Sequence, residues 1–369
     1  MSYDPKEILL LDSTRTFLLC SHLLKDIRYK TVEKPSKYKI LKSLLNPKML
    51  LLSISFFIKS RKIRQSILMG YYYLIIEKCN PRIVIGFYIC PRKSIFFELA
   101  NKLNSIEFVG IYPSRIDANR KISQLIPSEA NLYVYGHDDA EQLKQKGYRE
   151  SLIHPKGSLY SHIFSDYFNN QRKNVEYDIC ILSQFLHQWN DKKPSEDRLL
   201  QKKISDLMLA HIKRFSKTHD GLRICIALRP QELLEAGSKQ EEEYFRSRLS
   251  EINFTMIKSN EASGSSYKAA SLSKVTINHY STLGHELLGF KKKVLFFQPY
   301  IFESAPLNEK LPFKIQDPSY EIFEESLLNL LNMDIDTYQL EINEAAKQFN
   351  NLDQNDIIKE IREKYLIES

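Results

Sequence analysis

Ser281, Thr282, Gly284 and Glu286 stand close together in the segment Ser265–Pro299, SSYKAASLSKVTINHYSTLGHELLGFKKKVLFFQP. These residue types suit an anionic ligand. The two hydroxyls can donate hydrogen bonds. A helix opening here would turn backbone N–H groups and partial positive charge toward a phosphate. Gly284 lets a ligand or neighbouring backbone approach closely. Glu286, about one turn further on, can accept from ribose hydroxyls. His279 and Tyr280 lead into the motif and His285 lies within it. Gln298-Pro299 ends the next apolar run, where a base or ribose could be met. A plainer reading stays open beside this one. Ser and Thr are ordinary helix N-caps, a Glu three or four residues later is a capping-box partner, and a lone histidine is commonly structural.

Such a motif needs a strand before it and a helix after it. Val275–Asn278 is an apolar run read as a buried parallel strand. The predicted helices Ser266–Leu272 and Ser281–Leu288 flank it, and Lys293–Phe297 is the next strand. In α/β folds ligands bind at the carboxyl edge of the strands, which is where the motif falls. Short apolar runs alternate with helical patterns along the whole chain. Strands are expected at Ile8–Leu11, Arg82–Tyr88, Glu107–Ile111, Leu132–Tyr135 and Ser151–Ile153. Others are expected at Tyr177–Leu182, Leu222–Leu228 and Phe254–Ile257. Helices are expected at Arg61–Cys79, Lys93–Leu103, Asp139–Lys146, Glu196–Phe215 and after Tyr320. A polar break, NNQRKNVE at 169–176, is read as the linker between a domain at 1–170 and one at 171–369, the last helices being free to pack back on the first domain. A single doubly wound sheet is the competing architecture, but it would need about twice the usual strand number.

The 369 residues suit two domains of about 150–200 residues each. The formal charge is +8, and residues 23–64 hold most of the excess. Part of that stretch, YKILKSLLNPKMLLLSISFFIKSRKIR, is basic and apolar at once. It reads either as an interfacial segment meeting anionic lipid or as a buried helical hairpin with a basic end. Its longest apolar run, Met49–Ile58, is too short to span a bilayer. The five cysteines, Cys20, Cys79, Cys90, Cys180 and Cys225, contain no CxxC and read as reduced thiols in a reducing compartment. The N-terminus lacks the pattern of a signal peptide. The basic residues are not interleaved with aromatics on strands and no zinc-finger spacing occurs, so no nucleic-acid partner is expected. Asp138-Asp139 and the Asp334–Asp336 triplet lack the strand-end setting of a metal site; neither a metal nor another cofactor is expected.

The run S-Y-x5-S-K-V-x-I-x3-S-T-x-G-x-E-x-L-x3-K-K-V-L-F resembles the donor-nucleotide half of GT-B glycosyltransferases. More narrowly it is similar to bacterial surface-carbohydrate biosynthesis proteins of lipopolysaccharide and capsule systems, a group that resembles enzymes using CMP-activated acidic sugars such as Kdo. YDICILSQF (177–185) and ICIALRPQE (224–232) look like the opening strands of the second domain. LLLDSTRTFLL and YVYGHDDAEQLKQKGY look like the start and end of the first. The resemblance implies two facing Rossmann-like domains with a cleft between them and a nucleotide-sugar donor on the second. It also implies a cytoplasmic enzyme with a glycan or lipid-linked glycan acceptor on the first; were the acceptor lipid-linked, the segment 37–64 would hold the enzyme at the inner face of the cytoplasmic membrane. It assigns donor contacts to Ser183, Gln184, Arg229, Pro230, His279, Tyr280, Ser281, Thr282, Gly284, Glu286 and Gln298. Where such transferases carry His-Pro, this chain has Arg229-Pro230. Arginine can clamp a phosphate, yet it stays protonated and cannot act as a general acid. The base would come from first-domain loops: Asp12 after the first strand with Arg15 beside it, or Asp117. Asp12 could equally cap a helix beginning near Ser13.

Overall fold

The computed structural model describes residues 8–11, 22–27, 29–32, 36–60, 63–87, 93–103, 105–112, 129–169, 175–186, 189, 194–229, 235–260, 263–300, 311–352 and 356–366. The chain divides into two units, Met1–Tyr160 with Gln354–Ser369, and Ser161–Asp353. The first unit therefore closes ahead of the polar stretch 169–176. It also takes in the C-terminal segment, whose Arg362 donates to the carbonyls of Leu23 (3.0 Å) and Lys25 (2.9 Å).

The first unit is built on β1 (Ile8–Leu11), β2 (Tyr29–Val32), β3 (Ile83–Phe87), β4 (Glu107–Ile111), β5 (Asn131–Val134) and β6 (Ile153–Pro155). All neighbours are parallel, in the order β2-β1-β3-β4-β5-β6. The second unit has β7 (Tyr177–Leu182), β8 (Ile224–Ala227), β9 (Thr255–Ile257), β10 (Ser273–Asn278), β11 (Lys293–Phe297) and β12 (Lys314–Ile315). They too are parallel throughout, in the order β9-β8-β7-β10-β11-β12. Numbered within the unit, this is the 3-2-1-4-5-6 order of dinucleotide-binding sheets. Two sheets of six, not one long sheet, answer the architectural question left by the strand pattern.

The strands of the second unit are legible because helices cover both faces. A parallel strand buried on both sides reads as a continuous apolar run, and YDICIL of β7 and KVLFF of β11 are buried along nearly their whole length. The helix Glu196–Thr218 presents Ile204, Met208, Leu209, Ile212 and Phe215 to the sheet at helical spacing. The closing helices Tyr320–Asn332 and Ile335–Phe349 add Phe323, Leu327, Tyr338 and Phe349, with Phe323 edge-on to Phe297. Tyr338 has a second role. Its hydroxyl accepts the N–H of Val294 (3.1 Å) and donates to the carbonyl of Lys292 (2.6 Å).

Three expectations need correction. The strand placed at Ser151–Ile153 is Ile153–Pro155, preceded by a 3-10 turn at Glu150–Leu152. β2 and β12 have no counterpart in the sequence reading: β2 is YKTV with a largely uncovered start, and β12 has two residues. The basic apolar stretch is not a fully buried hairpin. Two helices, Lys37–Leu44 and Pro47–Ser60, precede a third, Ile63–Cys79. Met49, Ser53 and Phe56 form the buried face of the middle one. Gly70 of the third lets the two approach closely, since a Cβ there would stand 2.6 Å from the Ser53 hydroxyl. The opposite face is exposed. No single helix among the described residues is long and apolar enough to cross a membrane.

Candidate functional site

In the second unit the strand order reverses between β7 and β10, the two central strands. Chain connections there leave in opposite directions along the sheet, so the carboxyl ends of these strands open a crevice. Ser183 and Gln184 follow β7, Arg229 lies just beyond β8, His279 to Thr282 follow β10, and Gln298 follows β11. Topology alone thus gathers these expected donor contacts along one edge.

β10 ends at Asn278, whose side chain shapes the turn. Its Oδ1 accepts the amide of Ser281 (2.7 Å) and its Nδ2 donates to the Ser281 carbonyl (3.3 Å). The turn delivers the chain into the helix Thr282–Gly289, with Ser281 as its extended N-cap residue (φ −68°, ψ 134°). No side-chain cap forms: the Ser281 hydroxyl does not bond back to the first turn, and that turn contains no acidic residue. The capping box is not built either: with Ser281 as N-cap the N3 position is Gly284, and the Glu286 carboxylate accepts the hydroxyl of Tyr267. The first described amide to find an acceptor is that of Gly284, on the Ser281 carbonyl (3.0 Å). Among the described residues no acceptor takes the amides of Thr282 and Leu283. Ser281 and Thr282 are themselves half-buried, within reach of solvent. The start of this helix, its positive end, thus carries two amides without an acceptor among the described residues and the hydroxyls of Ser281 and Thr282, on the carboxyl edge beside the switch point.

Gly284 is required by packing. An added Cβ would lie 2.6 Å from Cγ of Asn278 and nearer still to its amide nitrogen. The close approach read from the sequence is made by this side chain. Glu286 is 2% exposed, with its carboxylate on Tyr267 and its carbonyl accepting from Asn350 (2.8 Å).

The remaining expected contacts divide by depth. His279 is 1% exposed; its Nε2 pairs with the Ser205 hydroxyl (2.9 Å), and its Nδ1 has no partner among the described residues. Burial pushes its pKa down to about 3, so the ring is neutral and brings no positive charge to a phosphate. Its carbonyl accepts from Gln298 (2.6 Å), which fixes the ends of β10 and β11 to each other. Tyr280 is half-buried and donates to the Tyr300 carbonyl (3.4 Å), while burial raises its pKa. Ser183 donates to the carboxylate of Glu241, and Arg229 gives its backbone amide to the same carboxylate (2.9 Å). The Arg229 side chain is exposed. Gln184 donates to the Ser183 carbonyl (3.0 Å). Pro230 and the first-domain candidates Asp12, Arg15 and Asp117 lie outside the described residues.

Glu241, Asn278 and Ser205 were not singled out by the sequence, and Tyr267 entered only as the fixed tyrosine of the S-Y-x5-S-K-V run, yet all four hold the edge together. Glu241 is 0% exposed, although it sits in the run QEEEY, in the helix Glu235–Arg248. Asp334 and Asp336 likewise have a structural setting: Asp334 caps the helix Ile335–Phe349 through the Thr337 amide (2.8 Å).

No protein-family model and no curated protein matches the chain. Solved structures do. UDP-GlcNAc 2-epimerase of Neisseria meningitidis, bound to UDP-GlcNAc, superposes with a TM-score of 0.57 at 12% identity over 97% of this chain and 98% of its own. The MnaA protein of S. aureus, in complex with UDP, gives 0.56 at 11% identity over 96% and 94%. A glycosyltransferase from Rickettsia africae gives 0.55 at 12% identity over 98% of each chain. At such identities the likeness speaks for the fold, which is of the GT-B-like class with two Rossmann-like domains.

Proposed function

We propose that the chain is a nucleotide-sugar enzyme whose second unit binds the donor's phosphates at the start of the helix Thr282–Gly289. The observation that carries this is the uncapped helix end: the Thr282 and Leu283 amides have no acceptor among the described residues, and the Ser281 and Thr282 hydroxyls belong to the same turn at the switch-point edge. Phosphate is the ligand such an end favours. Arg229, exposed past β8, would add a permanent cation. The UDP and UDP-GlcNAc complexes among the fold relatives support a nucleotide sugar as the ligand class.

The reaction we favour is transfer of the sugar to a surface-polysaccharide or lipid-linked acceptor. The acceptor hydroxyl would lose its proton to Asp12 or Asp117, with Arg15 holding the carboxylate or substrate. The leaving phosphate would be stabilised by the helix-end donors and Arg229. The sequence resemblance nominates a CMP-activated acidic sugar as donor. A second reading, a 2-epimerase acting on UDP-GlcNAc, is favoured by the fold relatives.

The test is thermal unfolding with millimolar CMP, CDP, UDP or GDP, with and without EDTA, beside the double variant Ser281→Ala/Thr282→Ala. A nucleotide at a hundredfold excess over its Kd adds about 2.7 kcal/mol. Stabilisation by CMP alone, weakened in the variant, supports the acidic-sugar transferase. Stabilisation by UDP alone, followed by acceptor-free isomerisation of UDP-GlcNAc, supports the epimerase. If no nucleotide shifts the midpoint, the donor-site assignment fails.

A further inference from the structure

The helices Lys37–Leu44 and Pro47–Ser60 meet at a bend of 100°. Their outer surface is apolar where a water-facing helix would be polar. On the second helix Leu50, Leu51, Ile54, Phe57 and Ile58 recur at helical spacing on the face opposite Met49, Ser53 and Phe56. Leu51 is 68% exposed and Ile58 72%; on the first helix and the bend, Tyr38 is 73% and Leu45 83%. A contiguous exposed patch of this kind marks an interaction surface.

Charge selects the partner. Between Glu33 and Glu77 the sequence has nine Lys or Arg and no Asp or Glu. Lys39 and Lys42 are exposed beside Tyr38 and Leu41, and Arg64 beside Ile63; Lys48 is engaged by Glu77 (2.6 Å). A second copy of the chain would bring the same unrelieved positive charge against this one. We infer that the elbow 37–64 docks on the anionic face of a lipid bilayer, its apolar ridge entering the headgroup layer and its lysines and arginines meeting lipid phosphates. The longer helix has 14 residues, about 21 Å of rise against a hydrocarbon core of about 30 Å. Alone it is too short to cross, and the chain turns by 100° on entering it, which sets the elbow along the interface. This surface is argued without the nucleotide site and stands or falls separately from it. If the acceptor is lipid-linked, docking brings the enzyme to it.

The experiment is co-sedimentation of the full chain with vesicles of phosphatidylcholine, with and without phosphatidylglycerol, at low and high salt, with size-exclusion chromatography of the free protein. Wild type is expected to pellet with the anionic vesicles and to be released by salt. Each neutralised cation should weaken partition roughly fivefold, so Lys39→Gln/Lys42→Gln/Arg64→Gln should lose well over tenfold. Leu51→Gln/Ile58→Gln should lose binding even at low salt. These positions are exposed, and an unchanged unfolding midpoint checks that each variant is folded. Failure of wild type to pellet with anionic vesicles overturns the proposal, as does binding that neither salt nor the charge variant weakens. So does a wild-type oligomer that ignores vesicles and that Leu51→Gln/Ile58→Gln converts to monomer, which would make the patch a self-association surface.

Discussion

Thr282→Pro isolates one backbone hydrogen. Proline lacks an N–H, and it is well tolerated at the first helical position because that amide has no intrahelical acceptor. The preceding residue must be extended, and Ser281 already is, at φ −68° and ψ 134°. The Thr282 amide has no acceptor among the described residues, so the unliganded protein should keep its stability or gain a few tenths of a kcal/mol from a stiffer unfolded chain, up to about 1. Nucleotide binding should suffer. A hydrogen bond to a charged group contributes about 1.5–3 kcal/mol, equivalent to roughly ten- to hundredfold in Kd. A ligand that stabilises wild type by about 2.7 kcal/mol at a hundredfold excess would then give about 0.4–1.4 kcal/mol at the same concentration. For a domain of this size, at about 2–4 °C per kcal/mol, that removes roughly 3–9 °C of ligand-induced midpoint. Differential scanning calorimetry of wild type, Thr282→Pro and Thr282→Ala, each with and without nucleotide, reads both quantities, and the alanine variant separates hydroxyl from amide. Two results would refute the reasoning. If the proline variant keeps the full nucleotide shift, no phosphate sits on this amide. If it loses more than about 2 kcal/mol without ligand, the fold already uses the N–H.

Three further outcomes follow from the same edge. His279 is neutral in the fold, with its pKa near 3, whereas the unfolded chain protonates near 6.5. Its contribution is intact above pH 6.5 and falls by up to about 1.4 kcal/mol per pH unit toward pH 3, because only the unfolded state takes the proton. Urea titrations at pH 7, 5.5 and 4 should show a flatter decline in His279→Gln, and an unchanged slope would assign the acid sensitivity elsewhere. Gly284→Ala should destabilise by about 1–3 kcal/mol through collision with Asn278, against a gain of about 1 kcal/mol expected from helix propensity alone; a stabilised variant would show Asn278 free to move. Glu241→Ala should cost about 2–4 kcal/mol, since the Ser183 hydroxyl and the Arg229 amide lose their common acceptor. Glu241→Gln, which keeps an acceptor of the same shape, should cost less, and equal losses in the two urea midpoints would argue against this role.

What could be read in advance follows the physics of burial. β4, β7 and β11 have the bounds expected from their apolar runs, because strands covered on both faces leave that mark. β2 and β12 left none: one is YKTV and the other two residues long at a sheet edge. The Ser281 motif was found because strand, turn and helix stand consecutively in the chain. Its internal wiring was not legible, since Asn278 against Gly284 and Tyr267 on Glu286 are contacts made only in the folded unit. Glu241 was invisible for a similar reason. In a row of three glutamates only tertiary packing decides which one is buried. The segment 37–64 was ambiguous because apolar residues of its longer helix fall on the buried face (Met49, Phe56) and on the exposed one (Leu51, Ile58) alike, so apolarity alone does not say which face meets protein.

The hydroxyl of Tyr338 has a consequence beyond local packing. Along β11 the amides of Phe296 and Gln298 donate to the carbonyls of Phe313 and Ile315, across to β12. β12 is too short to reach Val294, the next rung on that side, and there Tyr338 substitutes for the missing strand, accepting the Val294 amide and donating a hydrogen bond to the Lys292 carbonyl. An open row of backbone donors and acceptors at a sheet margin is a template on which another chain can add a strand. Here the Tyr338 phenol takes the rung of β11 that β12 leaves open, so at that rung the folded unit satisfies its own backbone and offers no pairing partner to a second chain.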